Sequence, residues 1–95
     1  MISAAERGLA PFLDGAVEHI FREAPGHFEV DTAEARELLQ TTVTEANFVG
    51  VRQYGNRVYQ QVLETGIQIW VHARDGTIRD GGRNLSPVST EELLR

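Results

Sequence analysis

The hydrophobic period of this chain changes once, near Asn47. Before that point apolar residues recur at helical spacing, with Val17, Ile20 and Phe21 on one face and Ala35, Leu38, Leu39 and Val43 on another. After it, residues 48–53, 57–63, 67–73 and 77–79 alternate in the manner of half-buried strands. The helical part divides into three segments. Residues 2–13 are weakly helical. Residues 15–23 form a second helix capped by Asp14, and Ala24-Pro25-Gly26 ends it because proline cannot continue a helix. Asp31-Thr32-Ala33-Glu34 reads as a capping box that opens a third helix over 32–42. The strands are separated by Tyr54-Gly55-Asn56, Glu64-Thr65-Gly66 and Arg74-Asp75-Gly76, short turns that favour hairpins. Gly81-Gly82 closes the sheet, and the tail carries one helical turn begun at Ser89 or Thr90. The pattern predicts an α+β fold: two or three N-terminal helices packed on a four-stranded antiparallel β-meander. One domain, 1–95, is expected, with a helical half 2–46, a sheet half 47–83 and a tail 84–95.

In the third predicted strand, Ile67, Ile69, Val71 and Ala73 point one way and Gln68, Trp70, His72 and Arg74 the other. The first set is the core face. The second lines up an aromatic ring, an imidazole and a guanidinium, which Arg52, Tyr59, Gln61 and Arg79 from flanking strands can join.

Composition narrows the class. Ninety-five residues with 41% hydrophobic content make one ordinary domain, not a disordered chain. No apolar run approaches the roughly 18 residues that span a bilayer, and residues 1–10 contain Glu6 and Arg7, unlike a signal peptide. The chain has no cysteine, so disulfides and thiolate metal sites are excluded. A net charge of −5 argues against a general nucleic-acid binder. The charge is uneven, however. Residues 1–46 hold three Arg against nine acidic residues, whereas residues 47–83 hold five Arg against three, so the sheet half is the basic part. Every basic residue is Arg, which suits planar phosphate recognition but is equally what a GC-rich genome produces.

Three histidines, His19, His27 and His72, supply the groups best matched to proton transfer near neutral pH. His19 is read either as such a group or as a structural residue beside Ile20 and Phe21. His27 lies in a loop, where functional groups concentrate, and has a plain turn hydrogen bond as its alternative. His72 has the alternative of an exposed strand residue. Trp70, the sole tryptophan, either packs beneath the tail or offers a stacking platform to a base. A zinc site fits poorly, because His19 and His27 are eight residues apart with no HExxH pattern. The serines lack a nucleophile elbow. Asp80-Gly81-Gly82-Arg83-Asn84 lacks the lysine and following helix of a phosphate loop. It reads as a turn, or as backbone N–H groups flanked by cations. RNA cleavage through the ribose 2′-hydroxyl, by contrast, needs only a base, an acid and a cation for the phosphate.

The run from His19 to His27, then Asp31-Thr32, resembles the opening of C-terminal toxin domains of bacterial polymorphic toxins of the filamentous-haemagglutinin and contact-dependent-inhibition type. Tyr54-Gly55-Asn56, Tyr59, residues 66–71, residues 74–78 and Gly81-Gly82-Arg83-Asn84 resemble their later part, so the likeness covers about residues 19–87. Such domains are similar to the barnase, EndoU, colicin and RelE-like grouping of ribonucleases. The resemblance implies helices on a four-stranded antiparallel sheet. It also implies metal-independent RNA cleavage, often of tRNA, with no cofactor, and a cognate immunity protein. It further implies a monomer delivered as the C-terminal part of a larger protein and acting in the target-cell cytoplasm. On this basis His19, His27, Arg22, Arg74 and Thr77 are expected to be catalytic. Tyr59, Trp70, His72, Arg79 and Asn84 are expected to bind substrate. The acidic balance departs from the usual basic nuclease. Two other readings stand beside it: an acidic binding module such as an immunity or adaptor protein, and a toxin with another chemistry, such as one that consumes NAD.

Overall fold

The computed structural model describes residues 9–95. It is an α+β fold whose four strands, β1 (Phe48–Val51), β2 (Arg57–Val62), β3 (Gln68–Arg74) and β4 (Thr77–Asn84), form one antiparallel sheet in the order β1-β2-β3-β4. The meander expected from the short turns is therefore present. Two helices precede the sheet, α1 (Ala16–Ile20) and α2 (Ala33–Thr42), and a third, α3 (Thr90–Leu93), follows it. Ile20, Leu39, Ile69, Val71 and Ile78, all fully buried, are the centre of the core between helices and sheet.

The N-terminal boundaries differ from the sequence pattern, for local reasons. Of the expected first helix, positions 2–8 lie outside the described residues. Its end is extended: Phe12 bridges to Ile78 in parallel, and Ile78 N–H donates to Pro11 O at 2.8 Å. Pro11 has no N–H to give a helix and biases its predecessor toward extended backbone. Helix α1 is short. Its N-cap is Gly15 at φ 84°, with no side-chain cap from Asp14. It stops at Phe21, which pairs with Phe28, while Arg22 N–H donates to Phe28 O at 2.9 Å. That pairing closes residues 22–27 into a compact loop. Helix α2 starts one residue later than the capping box predicts. Thr32, not Asp31, accepts the Ala35 N–H, and Asp31 instead forms an ion pair with Arg36.

Cross-strand pairing decides which side chains share a face. Tyr59 stands opposite Val71, so it lies on the helix side; it is buried in the core and its hydroxyl accepts from Arg57 Nε at 2.9 Å. The expectation that Tyr59 joins the outer face is therefore corrected. Gln61, opposite Ile69, also faces the helices and donates to Thr42 Oγ1. The outer face carries Val58, Gln60, Gln68, Trp70, His72, Asp80 and Gly82.

Part of that face is covered. Gln68 Oε1 accepts from Val88 N–H and from Asn84 Nδ2, and its Nε2 donates to Val88 O and Gln60 Oε1. This clamp draws the tail across the sheet, burying Leu93, and Leu94 fills the space against Gly50. Gly81 and Gly82 are strand residues rather than a closing turn. A Cβ on Gly81 would lie 2.8 Å from Leu39, and one on Gly82 would lie 1.9 Å from Gly26 O. Glycine at these two positions lets α2 and the 22–27 loop approach the strand.

Candidate functional site

The end of α1 and the loop after it bring three of the sequence-selected residues together. Arg22 reaches both imidazoles: NH1 lies 3.1 Å from His19 Nδ1 and NH2 lies 3.3 Å from His27 Nε2. A guanidinium only donates, so both ring nitrogens present lone pairs to it. His27 Nδ1 lies 2.9 Å from Ile20 O. A carbonyl only accepts, so His27 carries a proton on Nδ1, and its Nε2 lone pair takes the Arg22 NH2 donor. The other nitrogen of His19, Nε2, faces Asp80 Oδ2 at 3.5 Å, while Asp80 Oδ1 accepts the Gly81 N–H. Asp80 thus sets a carboxylate beside the His19 ring. Arg22 has no carboxylate partner among the described residues, and its charge is available to an anion.

The loop docks on the sheet through Gly26. Its carbonyl accepts from Trp70 Nε1 at 3.1 Å and from Arg83 N–H at 3.0 Å. The His27 ring meets Trp70 edge-on, with centroids 5.5 Å apart, and Trp70 in turn lies 4.9 Å from His72. The outward side of β3 and the 22–27 loop therefore share one surface. His72 sits deep in it. Burial, and secondarily the neighbouring Arg52, push its pKa down to about 4, against the opposing pull of Asp80. At neutral pH it is an uncharged acceptor, taking a hydrogen bond from Arg52 NH1 at 3.2 Å. The expectation of an exposed strand histidine is corrected: the ring is 8% exposed. Arg52 Nε is buried without a partner, a state that costs about 1–3 kcal/mol where it persists.

The remaining sequence-selected residues are placed differently. Arg74 donates to Tyr54 O at 3.2 Å, at the far end of β3 from the loop. Thr77 Oγ1 donates to Arg74 O and accepts from Arg79 Nε, and Arg79 also reaches Arg74 O. These three staple the β3–β4 turn, and among the described residues no hydrogen bond joins them to the His19–Arg22–His27 group. Asn84 borders the surface, with its amide held by Gln68.

Asp80 is the residue that sequence reasoning missed. Counting back from the β3–β4 turn pairs Arg74 with Thr77 and Ala73 with Ile78, which would set Arg79 against His72. A bulge after Ile78 puts Asp80 there instead. One extra residue in a strand exchanges the faces of all that follow, and no local motif announced it.

Among the described residues, no group of three or more His, Asp or Glu is placed to hold a metal ion, and no helix is long and apolar enough to cross a membrane. Comparison with protein-family models, with curated proteins and with solved structures gives no match to this chain.

Proposed function

We propose that this chain is a metal-independent endoribonuclease, the toxin part of a larger delivered protein, acting on tRNA or other structured RNA in the target-cell cytoplasm and neutralised by an immunity partner. The observation that carries the reading is the Arg22 guanidinium held between two imidazoles of unlike environment. His27 Nε2 accepts the proton of the ribose 2′-hydroxyl. The 2′-oxygen then attacks phosphorus, and the P–O5′ bond breaks. The leaving 5′-oxygen takes a proton from the His19 imidazolium, whose charge Asp80 supports. Arg22 moves from the imidazoles to the phosphate and stabilises its developing charge. The products are a 2′,3′-cyclic phosphate and a free 5′-hydroxyl.

The test is incubation of the chain with tRNA in excess chelator, followed by mapping of the new ends. Cleavage with 2′,3′-cyclic phosphate ends, abolished in a His19→Ala/His27→Ala double variant, is expected. Intact RNA at high protein concentration, or undiminished cleavage by the double variant, overturns the assignment.

A second reading, a non-catalytic binding module such as an immunity or adaptor protein, draws on the −6 net charge of residues 1–46. It predicts harmless expression in a host cytoplasm and tight binding to a basic partner. The ribonuclease reading predicts toxicity that the double variant relieves.

A further inference from the structure

A cleft of about 310 Å³ lies between the outer face of the sheet and the tail, bordered by Arg52, Trp70, His72, Asn84, Glu92 and Arg95. Its size is at the lower end of small-ligand sites, roughly 300–1,000 Å³. Trp70 gives it an aromatic wall in a fixed orientation. The indole N–H is tied to Gly26 O, the His27 and His72 rings contact it at 5.5 and 4.9 Å between centroids, and Gly82 leaves no side chain to displace it. Polar edges are available as well. Arg52 Nε–H is a buried donor with no acceptor among the described residues. Glu92, in an ion pair with Arg95, provides carboxylate acceptors at the rim. His72 adds no charge, being neutral above about pH 4. The far wall is α3, held in place by the Gln68 clamp on Val88 and by burial of Leu93.

We infer that this cleft is a nucleobase subsite, taking one unstacked base of a single-stranded nucleotide whose phosphate reaches Arg22. The inference rests on the ribonuclease reading for the identity of that phosphate. A flat heterocycle matches the combination of aromatic wall, buried N–H donor and rim carboxylate better than a phosphate or an aliphatic ligand does. Stacking accepts any base, and the Arg52 donor then selects a base acceptor placed opposite it. A base paired in a duplex cannot enter, because its faces are already stacked on its neighbours and its pairing edge is taken. The substrate class is thus single-stranded RNA or the loops of structured RNA.

Trp70 is the only tryptophan in the chain, so its fluorescence reports on this cleft and the loop beside it, and the phosphate and ribose 5-phosphate arms separate the two. Nucleoside 3′-monophosphates, the corresponding nucleosides, ribose 5-phosphate and inorganic phosphate, none of which carries the P–O5′ bond that the proposed reaction breaks, are titrated against the wild-type chain. Saturable quenching by nucleotides, at least roughly tenfold tighter than by ribose 5-phosphate, is expected. Arg52→Met should weaken it tenfold or more with an unchanged thermal midpoint, and Arg52→Lys should restore part of it. No saturable response to any nucleoside or nucleotide, or an equal response to phosphate alone, overturns the subsite. Cleavage without base-dependent quenching removes the subsite and leaves the ribonuclease. Base-dependent quenching without cleavage keeps the subsite and removes the ribonuclease.

Discussion

Arg22 and Asp80 divide the chemistry of two otherwise similar histidines. Arg22 presents a positive charge to one nitrogen of each ring, while Asp80 presents a negative one to His19 alone. The bond to Ile20 O puts a proton on His27 Nδ1 and leaves Nε2 as the acceptor that the proposed mechanism uses as base, and His19 is the ring with a carboxylate neighbour. In the proposed mechanism Asp80 acts through His19, as a positioning residue. Asp80→Asn should therefore lower kcat roughly 10- to 100-fold, with KM and the thermal midpoint little changed, because the substrate contacts remain while the acid is weakened. Equal losses in kcat/KM and thermal midpoint would instead mark Asp80 as merely structural. At this scale the sequence revealed the residue types and not their pairing. His19, Arg22 and His27 were legible because they belong to one continuous segment. Asp80 was not, because its face depends on a single bulged residue. Tyr59 looked like a surface phenol and lies in the core, since strand register could not be read.

The elements followed their periodicity where burial enforces it and departed from it where tertiary pairing intervenes. The first three strands and α2 follow period-2 and period-3.6 patterns, β4 continues to Asn84 past the three residues whose alternation marks it, and the one-turn α3 begins after Ser89, whose hydroxyl accepts the Glu92 N–H. The predicted second helix lost its last three residues to the pairing of Phe21 with Phe28, a contact seven residues apart that no propensity encodes. Its loss is what makes the loop bearing Arg22 and His27. The cap of α2 separates two candidate signals, Asp31 and Thr32. Thr32→Ala should cost about 1 kcal/mol, a thermal-midpoint drop of roughly 4–8 °C in a domain of this size. Asp31→Ala, which removes only an exposed ion pair, should shift the midpoint less. The reverse order in thermal unfolding would return the cap to Asp31.

Over the whole molecule, the tail and the 22–27 loop enclose the outer face from two sides, and His72 lies under both. Its depressed pKa links stability to pH. The unfolded chain protonates this ring near pH 6.5, the folded chain only near 4, so between those values the unfolded state binds more protons. Stability therefore rises with pH across that window. Acidifying from pH 7 to 4 should cost on the order of 3 kcal/mol through this ring. In His72→Gln, urea unfolding should lose most of that slope; an unaltered slope would show that other groups carry it. Arg22 and its two imidazoles come from the acidic helical half and dock on the basic sheet through the Gly26 carbonyl and the contact of His27 with Trp70.

The most direct measurement of the central claim is the pH dependence of kcat/KM for RNA cleavage in excess chelator, for the wild-type chain and for His27→Ala and His19→Ala separately. A bell-shaped profile is expected, with the acid limb lost in His27→Ala, the alkaline limb lost in His19→Ala, and each maximum reduced roughly 10²- to 10⁴-fold. A wild-type profile that either substitution leaves unchanged in shape and height would contradict the two-imidazole mechanism.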